Sequence, residues 1–378
     1  MSKQNYAFDA AQLPKEIAIR LKRPDEKHVA MDNHKEMTVI GVSDNRGRII
    51  HETIVPTEEK PLLEFIDCLG GTINLTFEEG THANWLFNLL EPRVSFVLVC
   101  DPRRNRELTR GGNKSDKLDV RMLLQLFQGN MLKAVYHQRE TDRTLKELVR
   151  NYDTWVKDTA RQMNRIKAIY RGRAIKSSAR LYSQSQRQHW LGMLSEPGVR
   201  LRAEHLLEGL DYLREMRQKA RSAMIAESRR HNDSKRLQTI RQFGPVRVAR
   251  LIAHVGTPKR FRGKEQFWGY CGLAVVTQSS ADFVMVNGQL RRNYKNVQTR
   301  GLNRNHNHYL KELFKSAAVA AISSGEFKEF YQKRIAQGMR PEMARLCVAR
   351  KLAAIALVVY KKGESYDPAR INKTAAKA

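Results

Sequence analysis

Residues 113–123 read Asn113-Lys114-Ser115-Asp116-Lys117-Leu118-Asp119-Val120-Arg121-Met122-Leu123, and they place two carboxylates three positions apart at the start of a predicted helix. Asn113 or Ser115 can act as the N-cap. An apolar stripe follows at helical spacing, formed by Leu118, Met122, Leu123, Leu126 and Phe127. Residues i and i+3 share one face of a helix, so Asp116 and Asp119 can be directed at one point. This arrangement suits a shared divalent cation, although two acids in a first turn can also simply complement the helix dipole.

The chain before this helix alternates between apolar runs and turn signals. Strands are predicted over 28–32, 38–42, 49–55, 72–77 and 94–100, and helices over 61–69 and 83–90. The first three strands form a predicted antiparallel meander, with a turn at Asp44-Asn45-Arg46-Gly47. The order β-β-β-α-β-α-β-α is that of an RNase H-like domain, with apolar strands buried between helix layers. We therefore predict an α/β domain over residues 26–137, after a polar lead-in over 1–25.

Four acids occupy functionally suggestive places in this layout. Asp32 ends the first strand and Glu78 ends the fourth, while Asp116 and Asp119 come from the later helix. Converging carboxylates repel one another unless a cation neutralises them, and hard oxygen ligands suit Mg²⁺. Two Mg²⁺ ions about 4 Å apart would stabilise the attacking and leaving oxygens of a phosphodiester displacement. The four acids are therefore predicted metal ligands and catalytic residues.

Two assignments near these acids depend on local register. Glu79 competes with Glu78, because a one-residue change of register exchanges the two faces of a strand. His34, Lys35 and His82 are not assigned as ligands, since a histidine beside an acidic site is more often a phosphate or structural contact.

The charge of the chain indicates its partner. Its 378 residues contain 68 Lys+Arg and 39 Asp+Glu, for a formal net charge of +29. The mutual repulsion of so many positive charges is best tolerated when the partner is a polyanion. Nucleic acid is a better candidate partner than an anionic membrane, because no amphipathic anchor is evident. The four cysteines are scattered without a CxxC pair, which fits a reducing compartment. With neither a signal peptide nor an apolar run of membrane-spanning length, we expect a cytoplasmic protein and no membrane partner.

Residues 138–236 show long helical periodicity, which predicts an antiparallel pair of helices forming a coiled-coil-like arm. Within it, residues 161–187 contain eight basic side chains and no acid. A solvated helix face usually mixes signs, so this run is predicted to follow a phosphate backbone. Its basic residues are Arg161, Arg165, Lys167, Arg171, Arg173, Lys176, Arg180 and Arg187.

Residues 237–360 are predicted to form a mostly helical domain, followed by a polar tail over 361–378. A helix, a turn at Gly244 and a second helix resemble a helix-hairpin-helix, whose turn offers backbone N–H groups to a phosphate. A helical hairpin that simply packs on the core fits these residues equally well. Residues 291–311 form a second basic stretch without an acid, and its predicted nucleic-acid contacts are Arg291, Arg292, Lys295 and Arg300. Ser279 and Ser280 lie in a polar segment, where composition alone gives no reason to expect catalysis.

The order of these motifs resembles the DEDD transposases of bacterial insertion sequences, which are related to the Piv/MooV DNA invertases and carry a RuvC-like N-terminal domain. The resemblance rests on the four acids and on the segments Phe243-Gly244-Pro245, Tyr270-Cys271-Gly272-Leu273 and Gln278-Ser279-Ser280. It covers roughly residues 26–360 and implies that residues 237–360 are a C-terminal transposase domain. The chain departs from the family pattern at two places. Ala281 stands where the family usually has Gly after the serine, and Glu78 is followed by Glu79-Gly80-Thr81 where the family commonly has a small residue, Thr and Gly.

The resemblance implies a bacterial, RNA-guided recombinase. A structured non-coding guide RNA would pair with donor and target DNA, and the protein would act as a dimer to tetramer. Ser280, with Ser279 as the alternative, would attack a DNA phosphodiester and form a covalent protein–DNA intermediate beside the magnesium ligands Asp32, Glu78, Asp116 and Asp119. Two other hypotheses remain. One is a metal-dependent nuclease of the Holliday-junction type that uses water, and the other is a non-enzymatic nucleic-acid-binding protein.

Overall fold

A computed structural model describes residues 14–108, 115–137, 143–279, 283–292 and 297–368. It divides into two compact units, Met1–Glu140 and Thr141–Ala378. The five-segment division predicted from the sequence is finer than this partition and stays a prediction. Among the described residues, none of the helices combines the length and apolarity needed to cross a membrane.

Unit 1 is built on a five-stranded mixed sheet with the order β3-β2-β1-β4-β5. β1 pairs with β2 and β2 with β3 in antiparallel fashion, whereas β4 runs parallel to both β1 and β5. All five predicted strands and the antiparallel meander are confirmed. The strands are β1 (Lys27–Asn33), β2 (Met37–Asp44), β3 (Ile49–Pro56), β4 (Ile73–Glu78) and β5 (Phe96–Cys100).

Helices complete unit 1 on both sides of the sheet. They are α1 (Lys15–Lys22), α2 (Glu59–Asp67), α3 (Ala83–Leu90), α4 (Pro102–Leu108) and α5 (Asp116–Gln128). The sequence predicted α2, α3 and α5, and a short helical pattern at Ile17, Ala18 and Leu21 in the lead-in indicated α1. It did not predict α4, whose residues Pro-Arg-Arg-Asn-Arg-Glu-Leu carry no apolar stripe. A helix without an amphipathic pattern gives no periodic signal.

Strand alternation sorts the sheet residues into two cores. Val29, Met31 and Phe77 point to the side that packs against residues of α1, α2 and α3. Ala30 points to the opposite side and packs with the apolar face of α5, which includes Val120. Because side chains alternate along a strand, every second residue of β1 shares the α5 side with Ala30.

A glycine lets α5 approach the sheet closely. Gly41 of β2 lies opposite Ala30 of β1, and a Cβ at position 41 would stand 2.6 Å from Cγ1 of Val120 and 3.1 Å from Cδ1 of Leu124. The side chains of α5 therefore pack directly on the backbone at Gly41, and this contact fixes the distance between α5 and the sheet.

Unit 2 is mostly helical. Its helices are α6 (Thr144–Arg171), α7 (Arg187–Gly192), α8 (Pro197–Ser228), α9 (Asp233–Gln238), α10 (Pro245–Val255), α11 (Lys264–Tyr270), α12 (His308–Ser323), α13 (Lys328–Ala336) and α14 (Pro341–Lys362). Residues of α10, α12 and α14 form most of its largest apolar core.

The two longest helices of the predicted arm, α6 and α8, pack side by side in opposite directions. Arg173, just after α6, hydrogen-bonds Glu196, just before α8, while Gln162 farther back in α6 donates to the carbonyl of Leu206. The predicted helix pair is thus present, and Pro197 occupies the first turn of α8, a position that tolerates proline. Its coiled-coil character stays a prediction.

Two small antiparallel sheets interrupt the helices of unit 2. β6 (Val275–Ser279) pairs with β9 (Val297–Leu302), and β7 (Phe283–Val286) pairs with β8 (Gln289–Arg292). Asn287 and Gly288 form the turn that joins β7 and β8. Both turn residues have positive φ, 50° and 73°, as a two-residue type I′ hairpin requires.

Candidate metal centre

Asp32 is held at the centre of the sheet of unit 1. It lies near the end of β1, which is hydrogen-bonded on one side to β2 and on the other to β4. Alternation places its side chain on the same side as Ala30, and this is the side covered by α5. The strand therefore presents the carboxylate to the helix that carries the other predicted ligands.

Asp116 enters the same region as the first residue of α5. Ser115 is the N-cap, and its hydroxyl accepts a hydrogen bond from the backbone N–H of Leu118 at 3.3 Å. This cap fixes where the helix begins and so sets the position of Asp116. Of the two N-cap candidates in the sequence, the structure uses Ser115, whereas Asn113 lies outside the described residues.

An imidazole joins these two carboxylates. Nε2 of His34 lies 3.3 Å from Oδ2 of Asp32 and 3.7 Å from Oδ2 of Asp116. Within the part of the chain that the structure describes, Asp32, His34 and Asp116 form the group of potential metal ligands whose donor atoms all lie within 4.8 Å of one another. Two predicted ligands from distant parts of the sequence thus converge.

His34 is the residue that the sequence interpretation left out. That interpretation treated a histidine near acids as a phosphate or structural contact, whereas this one lies between the two carboxylates. A usable signal was present, because residues i and i+2 of an extended segment point to the same side. His34 follows Asp32 by two positions and comes directly after Asn33, the last residue of β1.

Glu78 lies at the end of the neighbouring parallel strand but outside that group. Met31 pairs with Phe77, so Asp32 and Glu78 are the next residues along their two strands and share the α5 side of the sheet. Oε1 of Glu78 accepts a hydrogen bond from Nδ2 of Asn105 at 2.8 Å. Asn105 is 4% exposed and also donates to Sγ of Cys100.

Glu79 has a different set of partners. Its Oε2 lies 2.5 Å from Nε2 of His137, whose Nδ1 in turn lies 3.2 Å from Oδ1 of Asn84. Glu79 follows the last residue of β4, and its side-chain partners are distinct from those of Glu78.

Asp119 interacts electrostatically with the group formed by Asp32, His34 and Asp116. Burial raises the pKa of the Asp32 carboxyl, the carboxylates of Asp116 and Asp119 raise it further, and His34 opposes them. The side chain of Asp32 is 27% exposed, whereas that of Asp116 is 59% exposed. The cluster thus concentrates negative charge around a partly desolvated carboxylate, and a divalent cation would relieve this repulsion.

The predicted phosphate-tracking residues of α6 are partly engaged within the protein. Arg161 pairs with Asp158 at 2.9 Å, and Arg173 pairs with Glu196 at 2.9 Å. Arg165 donates to Gln162. Lys167 and Arg171 also lie in α6, while Lys176 and Arg180 follow it. Arg187, the last member of the run, pairs with Asp211 at 2.5 Å. The run itself contains no acid, but acids outside it neutralise three of its members.

Gly244 is the N-cap residue of α10, with φ −67° and ψ 170°. These angles are open to any residue, so this glycine is not required by backbone conformation. A Cβ there would meet nothing within 4 Å, so the space above the start of α10 is open. The preceding helix, α9, ends at Gln238, several residues earlier than the sequence pattern indicated.

The remaining predicted site residues lie around the small sheets of unit 2. Ser279 ends β6, Arg291 and Arg292 end β8, and Arg300 belongs to β9. Ser280 and Lys295 lie outside the described residues.

Two family models match the chain. Residues 29–172 match a transposase model of the DEDD type for IS110 elements, and residues 234–299 match the model described as "Transposase IS116/IS110/IS902 family". No curated protein matches the chain. The first match contains Asp32, Glu78, Asp116 and Asp119, and the second contains Gly244 and both serines. Together the matches cover more than half of the chain, which therefore belongs to the IS110 family of transposases and is a DNA transposase.

Proposed function

We propose that this transposase cuts and rejoins DNA at a divalent-metal centre in unit 1, with Asp32, Glu78, Asp116 and Asp119 as ligands. The observation that carries the proposal is the convergence of Asp32 and Asp116 on His34, from a central strand and a helix start. The strand order and the side of the sheet shared by Asp32 and Glu78 support an RNase H-like (RuvC-like) fold for this unit.

The donor set fits a divalent cation. Carboxylate oxygens suit Mg²⁺, and the imidazole of His34 is either a further ligand or a contact to a bound phosphate. When bound, such ions would stabilise the charge that develops on the attacking and leaving oxygens of a phosphodiester. The chain supplies the positioning: Ser115 caps the helix that carries Asp116, and Asn105 orients Glu78.

Glu78 is preferred to Glu79 as the third ligand. Its side chain shares the α5 side of the sheet with Asp32, whereas Glu79 is engaged by His137. The different partners of the two glutamates support this choice and make it testable by separate substitution.

Ser280 is the proposed nucleophile, with Ser279 as the alternative. Its hydroxyl oxygen would attack phosphorus and lose its proton, while the bond from phosphorus to the departing DNA hydroxyl breaks. The resulting phosphoserine diester conserves the bond energy, so attack by another DNA hydroxyl can release the serine and join new strands. This role rests on the family resemblance of residues 278–280.

A structured guide RNA and self-association complete the proposal. The net charge of +29 supports a polyanionic partner larger than one DNA site. The relation to Piv/MooV invertases, the guide RNA that pairs with donor and target DNA, and the dimeric to tetrameric state follow from the resemblance described above.

Covalent trapping tests the reaction. The full-length protein is incubated with its element ends, the adjacent non-coding RNA and Mg²⁺, and adducts are resolved on a denaturing gel. We expect an adduct that requires Mg²⁺ and is lost in Asp116→Ala and Ser280→Ala. Asp67→Ala, which removes an exposed acid paired with Arg93, is the matched control and should retain it.

The alternatives give different results in the same assay. Hydrolysed ends without an adduct, unaffected by Ser280→Ala, would identify a metal-dependent nuclease that uses water. Nucleic-acid binding that is equally strong in Asp116→Ala, without any Mg²⁺-dependent cleavage, would mean that the acids have only a structural role.

A further inference from the structure

Unit 2 contains a cleft of about 370 Å³ at the start of α10. Three arginines line it, Arg221 from α8 and Arg247 and Arg250 from α10, together with Gly244. Glu312 and Ser316 of α12 complete its polar lining. Cations from two helices thus face one space, although α8 and α10 are separate elements of the sequence.

Arg247 is a partly buried cation without a carboxylate partner among the described residues. Its guanidinium donates to the carbonyl of Gln242 at 2.8 Å and to the hydroxyl of Ser316 at 3.4 Å, and both acceptors are neutral. Burial lowers the pKa of Arg247, and the neighbouring Arg250 lowers it further. A desolvated cation beside a second cation is stabilised when an anion binds.

Arg250 is already neutralised within the protein. It forms an ion pair with Asp153, a carboxylate that is 4% exposed, so it contributes little free charge to the cleft. Arg221 differs, because it makes neither a hydrogen bond nor an ion pair with any residue that the structure describes. The charges available to a ligand are therefore those of Arg221 and Arg247.

The backbone of α10 adds donors to the same cleft. No side chain caps this helix at Gly244, and the first amides of a helix have no intrahelical acceptor. The open space above Gly244 allows a ligand to approach them. Glu312 is the opposing charge, and it is not ion-paired with these arginines.

We propose that this cleft binds a backbone phosphate of duplex DNA, with Arg221 and Arg247 as its charged ligands. Arginine forks match phosphate oxygens in geometry, and two guanidiniums outweigh the single carboxylate of Glu312. Duplex DNA is the occupant because the chain is a DNA transposase. The inference deepens the proposed function by naming a DNA contact, but it does not depend on the metal centre or on the serine.

The salt dependence of binding tests this contact. The affinity of the full-length protein for a 30-base-pair duplex of random sequence is measured across a KCl series in EDTA, which prevents metal-dependent chemistry. Each phosphate contact contributes about 0.9 to the slope of log K against log salt concentration. We expect the double variant Arg221→Gln/Arg247→Gln, which removes both charged ligands of the phosphate, to lower the slope by about that amount, and each single variant to lower it by a part of that amount. Arg229→Gln, which removes an exposed charge from the residue after α8, should leave the slope unchanged.

Two results would overturn the proposal. Equal slopes for Arg221→Gln, Arg247→Gln and the wild type would exclude a phosphate in the cleft. A reduced slope with a structured RNA of equal length, but not with the duplex, would assign the cleft to RNA. Arg221 makes no hydrogen bond or ion pair with the residues that the structure describes, so its variant tests the proposal even if Arg247→Gln impairs folding. EDTA prevents the metal-dependent reaction, so this binding measurement does not depend on whether the covalent adduct forms in the trapping assay.

Discussion

The side-chain amide of Asn105 donates a hydrogen bond from Nδ2 to Oε1 of Glu78 at 2.8 Å. Asn105 is almost completely buried and comes from α4, a helix that the sequence pattern did not reveal. The bond links a structural residue to a proposed metal ligand at the end of β4, and it restricts the directions that the carboxylate can take.

Removing this support should weaken metal binding. We expect Asn105→Ala to raise the Mg²⁺ concentration for half-maximal DNA cleavage by about tenfold, since loss of a residue that orients a ligand typically costs 10–100-fold in metal affinity or activity. A titration of cleavage against Mg²⁺ measures it. If the variant is less stable but has an unchanged Mg²⁺ requirement, Asn105 is structural only.

The close approach of α5 to the sheet predicts sensitivity at Gly41. In Gly41→Ala the new methyl group would overlap Val120, so α5 must move, at a cost of about 1–3 kcal/mol in unfolding free energy. The movement also displaces Asp116, so cleavage at saturating Mg²⁺ should fall. Gly41→Ala combined with Val120→Ala removes the overlap, and the pair should recover activity relative to Gly41→Ala. A double variant no more active than the single one would contradict this explanation.

The ion pair between Asp153 of α6 and Arg250 of α10 predicts a large loss of stability in unit 2. Asp153→Ala leaves Arg250 without its counter-charge, and breaking a buried pair from one side costs about 3–5 kcal/mol. Chemical denaturation of the full chain measures the change. Replacing both partners, in Asp153→Leu with Arg250→Met, should cost less than Asp153→Ala alone. Equal losses would mean that the pair is not the source of the effect.

His254 predicts an acid-sensitive unit 2. Burial, together with the nearby basic side chains of Lys146, Arg250, His308 and Arg150, lowers its pKa from 6.5 to about 3. The unfolded state takes up a proton below pH 6.5, whereas the folded state does not until about pH 3. Stability from neutral His254 is therefore present above pH 6.5 and is lost as pH falls through that window, by about 1.4 kcal/mol per pH unit.

Urea denaturation at pH 7, 6 and 5 checks this dependence. His254→Phe retains a ring to stack on Tyr309, which lies at a centroid distance of 4.8 Å in the wild type. The variant should lose less stability than the wild type between pH 6 and pH 5. Parallel pH profiles for the two proteins would refute the assignment.

The sequence predicted unit 1 well because its signals are local. Apolar runs separated by turn signals defined all five strands, and the predicted strand order placed the acids at two strand ends side by side. Asp32 and Asp116 lie close together in one group with His34, whereas Glu78 and Asp119 are not members of that group, and the role of the four acids as metal ligands stays a prediction. α4 was missed because its residues have no apolar periodicity, and with it the contact of Asn105 to Glu78.

Other features depend on contacts that sequence spacing does not encode. The basic run of residues 161–187 contains no acid, so sequence spacing predicts that its charges are unpaired. Glu196 nevertheless pairs with Arg173, because α8 packs against α6. Gly244 looked like a glycine required by a turn, and its backbone angles suit any residue. The roles of Ser279 and Ser280 remain predictions, because polar loop composition carries no chemical signal.

The proposed metal centre joins two parts of unit 1 that differ in how firmly they are held. Asp32 belongs to a strand bonded along both flanks, where amide hydrogens exchange slowest, whereas Asp116 stands on the first turn of a helix, where fraying is easiest. Loosening that single turn separates the two carboxylates while the sheet stays intact. We therefore expect mild denaturant to inactivate the enzyme before it unfolds the protein globally. This inactivation should be reversible, because only the first turn of α5 is lost.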